Sequence, residues 1–175
     1  MRLASLTKTG RAAIARAIAE RPLHLAWGSG DPAWDAPDAE LPSQVNATAL
    51  VNEVGRRVVS SVGFVLPDDE GNIVIPVGIK ADGDVQEARY TSVPGPTPYI
   101  YIRVNYNFVD ASNVTIRELG LFMDTVVKAD LPPGQRYFTP AELESPGLLL
   151  SAQIPDVFVP RSPAVRQSIE FVLPI

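Results

Sequence analysis

The sequence predicts an α+β, mostly β protein: an antiparallel β-sandwich-like domain with one N-terminal helix and long proline-rich loops. Three observations carry this. Short segments rich in β-branched and aromatic residues, about seven in all, recur between turn residues along the chain. Only one stretch has helical periodicity. The 17 prolines are scattered through apolar sequence, as in a protein of short strands and ordered loops. A length of 175 residues fits a single domain spanning 1–175.

Thr9 to Glu20 is the helix, with Thr9 as its cap and Ala13, Ile14, Ala17 and Ile18 on one face. Pro22 ends it. Leu23-His24-Leu25-Ala26-Trp27 reads as a strand running into the turn Gly28-Ser29-Gly30. Asp31 to Ser43 is acidic and proline-rich, hence a surface loop. Leu50 to Arg57 fits a helical turn or the start of a strand, and Arg57 to Leu66 a strand. The turn Asp68-Asp69-Glu70-Gly71-Asn72 then leads to a return strand from Ile73, giving a hairpin. Residues 81–98, with Gly83, Pro94, Gly95, Pro96 and Pro98, read as an excursion between strands.

Tyr99 to Phe108 is a long strand in which Val104, Tyr106 and Phe108 alternate with Arg103, Asn105 and Asn107. Val114 to Met123 is another. Residues 128–147 surround a short helix at Pro140 to Glu144, and Leu148 to Ile154 and Ser168 to Leu173 are the last strands. Neither repeats nor heptads occur.

Composition narrows the function. With no cysteine, a disulfide framework and thiolate chemistry are excluded. A net charge of −5 argues against nucleic acid, whose phosphates need a basic surface. The opening Met1 to Leu6 turns polar at Thr7-Lys8-Thr9 without the apolar core of a secretory leader, and no run approaches the ~20 apolar residues of a membrane span. A soluble chain folded in a reducing cytosol, with no membrane partner, is expected.

Chemistry is hard to find. His24, the sole histidine, reads as a partly exposed strand residue facing opposite to Leu23 and Leu25. No Gly-x-Ser-x-Gly elbow accompanies it. The loop from Gly28 to Asp35 carries acids but lacks the spacing and closing glutamate of a calcium loop. Gly28-Ser29-Gly30 is followed by no Gly-Lys-Ser/Thr, and Asp68 and Asp69 sit where turns favour aspartate. Catalytic, cofactor-binding and metal residues are therefore expected to be absent.

Two charged pairs stand out as structural ion-pair candidates: Glu53 with Arg56, and Arg117 with Glu118. Arg117 and Glu118 interrupt an apolar strand, so one of them points inward and needs a partner. An ion pair from Glu118 to Arg56, or from Arg117 to Glu53, would fix strand register. Trp34, Tyr99 and Tyr137, read as exposed, are interface candidates because aromatic side chains bring large contact area. The terminal segments Met1 to Leu6 and Pro163 to Ile175 are candidate arms for pairing with a neighbour's sheet edge.

Several segments, in this order, resemble a known family. The helix opens Leu6-Thr7-Lys8-Thr9-Gly10-Arg11-Ala12-Ala13, and a strand leads into Ala26-Trp27-Gly28-Ser29-Gly30. Leu50-Val51-Asn52-Glu53-Val54-Gly55-Arg56 comes next. Then come Arg117-Glu118-Leu119-Gly120-Leu121-Phe122, Phe158-Val159-Pro160 and Ile169-Glu170-Phe171-Val172. Together they resemble, over essentially the whole chain, the N-terminal baseplate-docking domain of bacteriophage tail-fibre (tail-collar fibre) proteins of contractile-tailed phages.

The resemblance implies a structural virion protein and no enzyme. Its partners would be baseplate wedge and tail-fibre chains, in multiple copies within a symmetric assembly. It would be located in the tail and assembled in the host bacterial cytoplasm. Residues 81–98 and 128–147 read as insertions relative to the family pattern. With no shaft following the last strand, an adaptor that anchors tail fibres is expected rather than a receptor-binding fibre. The alternative is a carbohydrate-binding module contacting the host surface, using Trp34 with Asp31 and Asp35.

Overall fold

The computed structural model describes residues 4–80 and 83–175. The first three residues of the expected N-terminal arm and the first two of the 81–98 segment lie outside the described residues. In chain order the elements are α1 (Lys8–Ala19), β1 (Leu23–Gly28), a 3-10 turn (Pro32–Asp35), β2 (Glu53–Val58), β3 (Ser61–Pro67), β4 (Ile73–Ile79) and β5 (Val85–Val93). There follow β6 (Tyr99–Tyr106), β7 (Thr115–Ile116), β8 (Glu118–Met123), β9 (Val126–Val127) and β10 (Tyr137–Phe138). A second 3-10 turn (Pro140–Glu142), β11 (Leu143–Ser145), β12 (Leu148–Gln153), β13 (Val159–Pro160) and β14 (Gln167–Pro174) complete the chain. The strand pairings are antiparallel, and the expected class, mostly β with one N-terminal helix, is the one observed.

The described residues form two compact units. One comprises those of Met1–Arg21, Ser60–Arg103 and Ile169–Ile175; the other comprises Pro22–Val59 and Val104–Ser168.

The first unit holds α1 and a sheet of order β14-β6-β3-β5-β4. Thr7 caps the helix by accepting the Gly10 N–H at 3.0 Å. The cap is therefore two residues earlier than expected, and the buried face differs too. Ala15 is fully buried and Ala12, Ile18 and Ala19 are half-buried, whereas Ile14 is exposed. Val65, Ile75, Ile100 and Ile102 supply the sheet's buried apolar side chains.

The expected hairpin does not form. The stretch from Arg57 to Leu66 breaks at Val59-Ser60, giving β2 and β3, which lie in different sheets. The presumed excursion contains β5, which pairs with both β3 and β4 and separates them. Its prolines, Pro94, Pro96 and Pro98, follow the strand instead of interrupting it, as a residue with no ladder donor must.

The second unit holds a sheet of order β10-β2-β1-β8-β12, with β1 at its centre. All six residues of β1 are buried. Trp27 stacks on Tyr106 with ring centroids 3.4 Å apart, and the Tyr106 hydroxyl donates to the Leu25 carbonyl at 2.6 Å. His24 is 6% exposed, not the partly exposed residue expected, because a central strand has neighbours on both edges and covered faces. It lies edge-on to Phe138. Burial, reinforced by Arg56 and Arg136, pushes its pKa down to about 4. The expected strand from Val114 to Met123 is divided at Arg117 into β7 and β8, which pair with different partners. The expected helix at Pro140 to Glu144 is the single 3-10 turn, in which the Glu142 carboxylate accepts the Thr139 N–H at 2.7 Å.

Candidate functional site

The residues singled out by the sequence gather mostly in the second unit, around the start of β8. Gly28 and Glu118 are directly opposed across β1 and β8. A Cβ on Gly28 would stand 2.2 Å from Glu118 Oε1, so glycine is what lets this carboxylate lie across β1. Glu118 is 1% exposed. Its two oxygens accept the N–H groups of Val51 and Asn52 at 2.9 and 2.8 Å. Bonds from neutral amides to a carboxylate offset the cost of burying its charge.

Arg117, one residue earlier, reaches the other way. Its Nε and Nη2 donate to the two oxygens of Asp35 at 2.8 and 2.7 Å, and Nη1 donates to the Ser29 carbonyl at 2.9 Å. The guanidinium beside Asp35 holds that carboxyl below its ordinary pKa, chiefly through the hydrogen bond. The 3-10 turn Pro32–Asp35 is thereby fixed. Asp31 begins it by accepting the Ala33 N–H at 2.9 Å. Trp34 folds back over Gly30, whose φ of +56° and missing Cβ give the ring its space.

Arg56 is fully buried. It grips Glu53 through two bonds of 2.8 and 2.7 Å, donates to Thr125 Oγ1 at 2.7 Å and to the Pro146 carbonyl, and lies 3.8 Å over the Phe122 ring. One side chain thus ties β2 to the connections on either side of residues 126–145. Arg57 completes the set with a 2.6 Å pair to Asp110.

Of the four ion-pair candidates, Glu53 and Arg56 are brought together, and Arg117 and Glu118 do point oppositely. The cross-strand pairs expected, Glu118 to Arg56 and Arg117 to Glu53, are not the ones formed. Glu118 sits at the end of the β1–β8 ladder, where the amides of Val51 and Asn52 lack strand partners, and Arg117 faces the acidic loop. Asp35 and Asp110 were missed as partners. Only the loop's acidity hinted at the first.

None of the three aromatic candidates is exposed. Trp34, Tyr99 and Tyr137 are each half-buried. Tyr137 is edge-on to Tyr106 with its hydroxyl over Gly55, and burial raises its pKa. Tyr99 lies near Tyr90, 6.4 Å between centroids. Each ring covers backbone or another ring of its own unit, the commonest way to dispose of large apolar area.

Among the described residues, no group of three or more histidines or acids is placed to hold a metal ion, and no helix is long and apolar enough to cross a membrane. No curated protein matches the chain. A family model, the baseplate wedge 3 tail fiber network component, matches residues 3–175. That match takes in the strand of Arg117 and Glu118, the Gly28 turn and the Glu53–Arg56 segment, and the chain accordingly belongs to this family of structural components of the phage baseplate.

Proposed function

We propose that the chain is an adaptor that anchors tail fibres to the baseplate, acting by geometry and not by catalysis. The observation that carries this reading is how Arg117 and Glu118 are engaged. Both charges are committed to the chain's own loop, at Ser29, Asp35, Val51 and Asn52. A catalytic acid or base has to reach a substrate proton. A docking surface instead needs loops held in one conformation before the partner arrives, so that little entropy is lost on binding. The prolines of residues 31–49 and 128–163 add to that rigidity.

In this reading the partners are baseplate wedge and tail-fibre chains, the copies are multiple and symmetric, and neither nucleic acid, membrane nor cofactor takes part. The protein resides in the virion tail after assembly in the host bacterial cytoplasm. Cross-linking mass spectrometry of purified particles tests it. Links to both wedge and fibre chains are expected. Links to wedge chains alone would remove the anchoring role, and absence from particles would remove the whole reading.

Glycan binding draws on Trp34 with Asp31 and Asp35, but each of these acids already has a partner within the chain and the indole is half-buried. Glycan-array binding abolished by Trp34→Ala would favour it.

A further inference from the structure

The second unit carries an anomalous turn. Asp110 N–H donates to the Asn107 carbonyl at 3.2 Å, closing a β-turn whose two central residues are Phe108 and Val109. Those positions ordinarily take proline, glycine, asparagine or aspartate. Here they present apolar side chains, 41% and 78% exposed.

The turn is held firmly in spite of that exposure. Asp110, 3% exposed, accepts from the Asn107 N–H at 2.8 Å and from Arg57 at 2.6 Å. Arg161, 5% exposed, donates to the carbonyls of Asn107 and Asp110 at 2.7 and 3.3 Å. Its other amino group donates to the Val165 carbonyl at 2.9 Å. Directly after the turn, Ala111 and Asn113 adopt φ of +49° and +66°, a left-handed conformation that is strained for alanine and persists only where the surroundings enforce it. The Arg166 guanidinium lies 5.0 Å over the Phe108 ring and makes no hydrogen bond or ion pair among the described residues. The result is a rigid apolar knob beside an unpaired positive charge.

The same unit holds a complementary groove of about 410 Å³. Trp34, Leu41, Pro155 and Phe158 line it together with Asp35 and Asp156. Asp35 is held by Arg117, but Asp156 is exposed and without a partner among the described residues. An apolar turn with Arg166 laid over its ring matches a groove of mixed character that carries the rings of Trp34 and Phe158 and the unpartnered carboxylate of Asp156.

We propose that copies of this chain join head to tail, the Phe108–Val109 turn of one copy entering the Trp34–Phe158 groove of the next, with Arg166 against Asp156. The two surfaces differ, so the contact is heterologous and propagates through successive copies until a ring closes. The proposal does not depend on the anchoring reading, whose cross-links to wedge and fibre chains would stand whichever way this contact is decided.

The chain has no cysteine, which permits a clean test. Two full-length variants of distinguishable mass, Val109→Cys on the turn and Ala39→Cys in the groove, are mixed in equal amounts at high concentration and mildly oxidised. A mixed disulfide forming well above the one half given by random pairing is expected. Random proportions, or no cross-link, would overturn the proposal. Sedimentation adds a second reading: Arg166→Glu and Asp156→Arg should each weaken self-association by about tenfold, and the two changes in one chain should restore it. Unaltered association in the single variants, or no recovery in the double, would also overturn it.

Discussion

The two units handle charge in opposite ways. In the second, Arg56, Glu118, Asp110, Arg161 and His24 are all buried, Arg56 completely. In the first, the buried polar residue among those described is Thr97, which donates to the Val65 carbonyl at 2.7 Å. Among the described residues, the first unit's ion pairs Arg16–Glu20, Arg89–Glu87 and Arg103–Glu170 lie at its surface. The difference follows from loop content. Where strands pair along their length, the ladder satisfies the backbone and an aliphatic core suffices. In the second unit, long connections leave amides and carbonyls at Ser29, Val51, Asn52, Asn107 and Pro146 that no ladder reaches, and buried charged side chains satisfy them.

This contrast is best broken at Arg56. Arg56→Ala strands the Glu53 carboxylate and leaves Thr125 and the Pro146 carbonyl only their bond to each other, and removing one partner from a buried pair costs about 3–5 kcal/mol. A large fall in the denaturation midpoint is expected by circular dichroism. A loss under about 1 kcal/mol would mean that the buried charges are incidental.

His24 gives a smaller, pH-dependent effect. Its folded pKa, about 4, lies below the unfolded value of 6.5. The unfolded chain therefore binds the proton first on acidification. This contribution to stability is present above pH 6.5 and is lost as pH falls from 6.5 towards 4. The loss is on the order of 2–3 kcal/mol. Melting curves across that window should steepen in wild type relative to His24→Gln, and parallel profiles would contradict the assignment.

The smallest effect belongs to the first unit. Arg89 and Glu87 are 3.7 Å apart and each about half exposed, so Arg89→Ala should change stability by less than about 1 kcal/mol. A midpoint shift as large as that of Arg56→Ala would erase the distinction between the units.

What could be foreseen follows the range of the forces involved. Alternation put Val104 and Tyr106 inside and Arg103 outside, and they lie there, whereas Phe108, put inside by the same rule, is exposed past the strand's end at Tyr106. The opposed directions of Arg117 and Glu118 came from the same two-residue period. Partners were harder, because they depend on which loops return to the strand. Nothing local in Asp35 or Asp110 marks it as the mate of Arg117 or Arg57. β5 was hidden because Val85 to Val93 mixes polar and apolar residues on both faces, and five of its nine residues are exposed. The helix face was misread because alanine gives no strong periodicity.

The adjacent grips of Arg117 and Glu118 have an evolutionary consequence. One fixes the beginning of the long connection after β1, at Ser29 and Asp35, and the other fixes its end, at Val51 and Asn52. Residues 42–49 lie between those grips, mostly exposed, with Val45 at 89%. With both ends fixed by those grips, added residues raise the closure cost little, about 0.6 kcal/mol per doubling of loop length. Mutation is therefore free to lengthen or rewrite this stretch while the sheet keeps its register, without redesigning the fold.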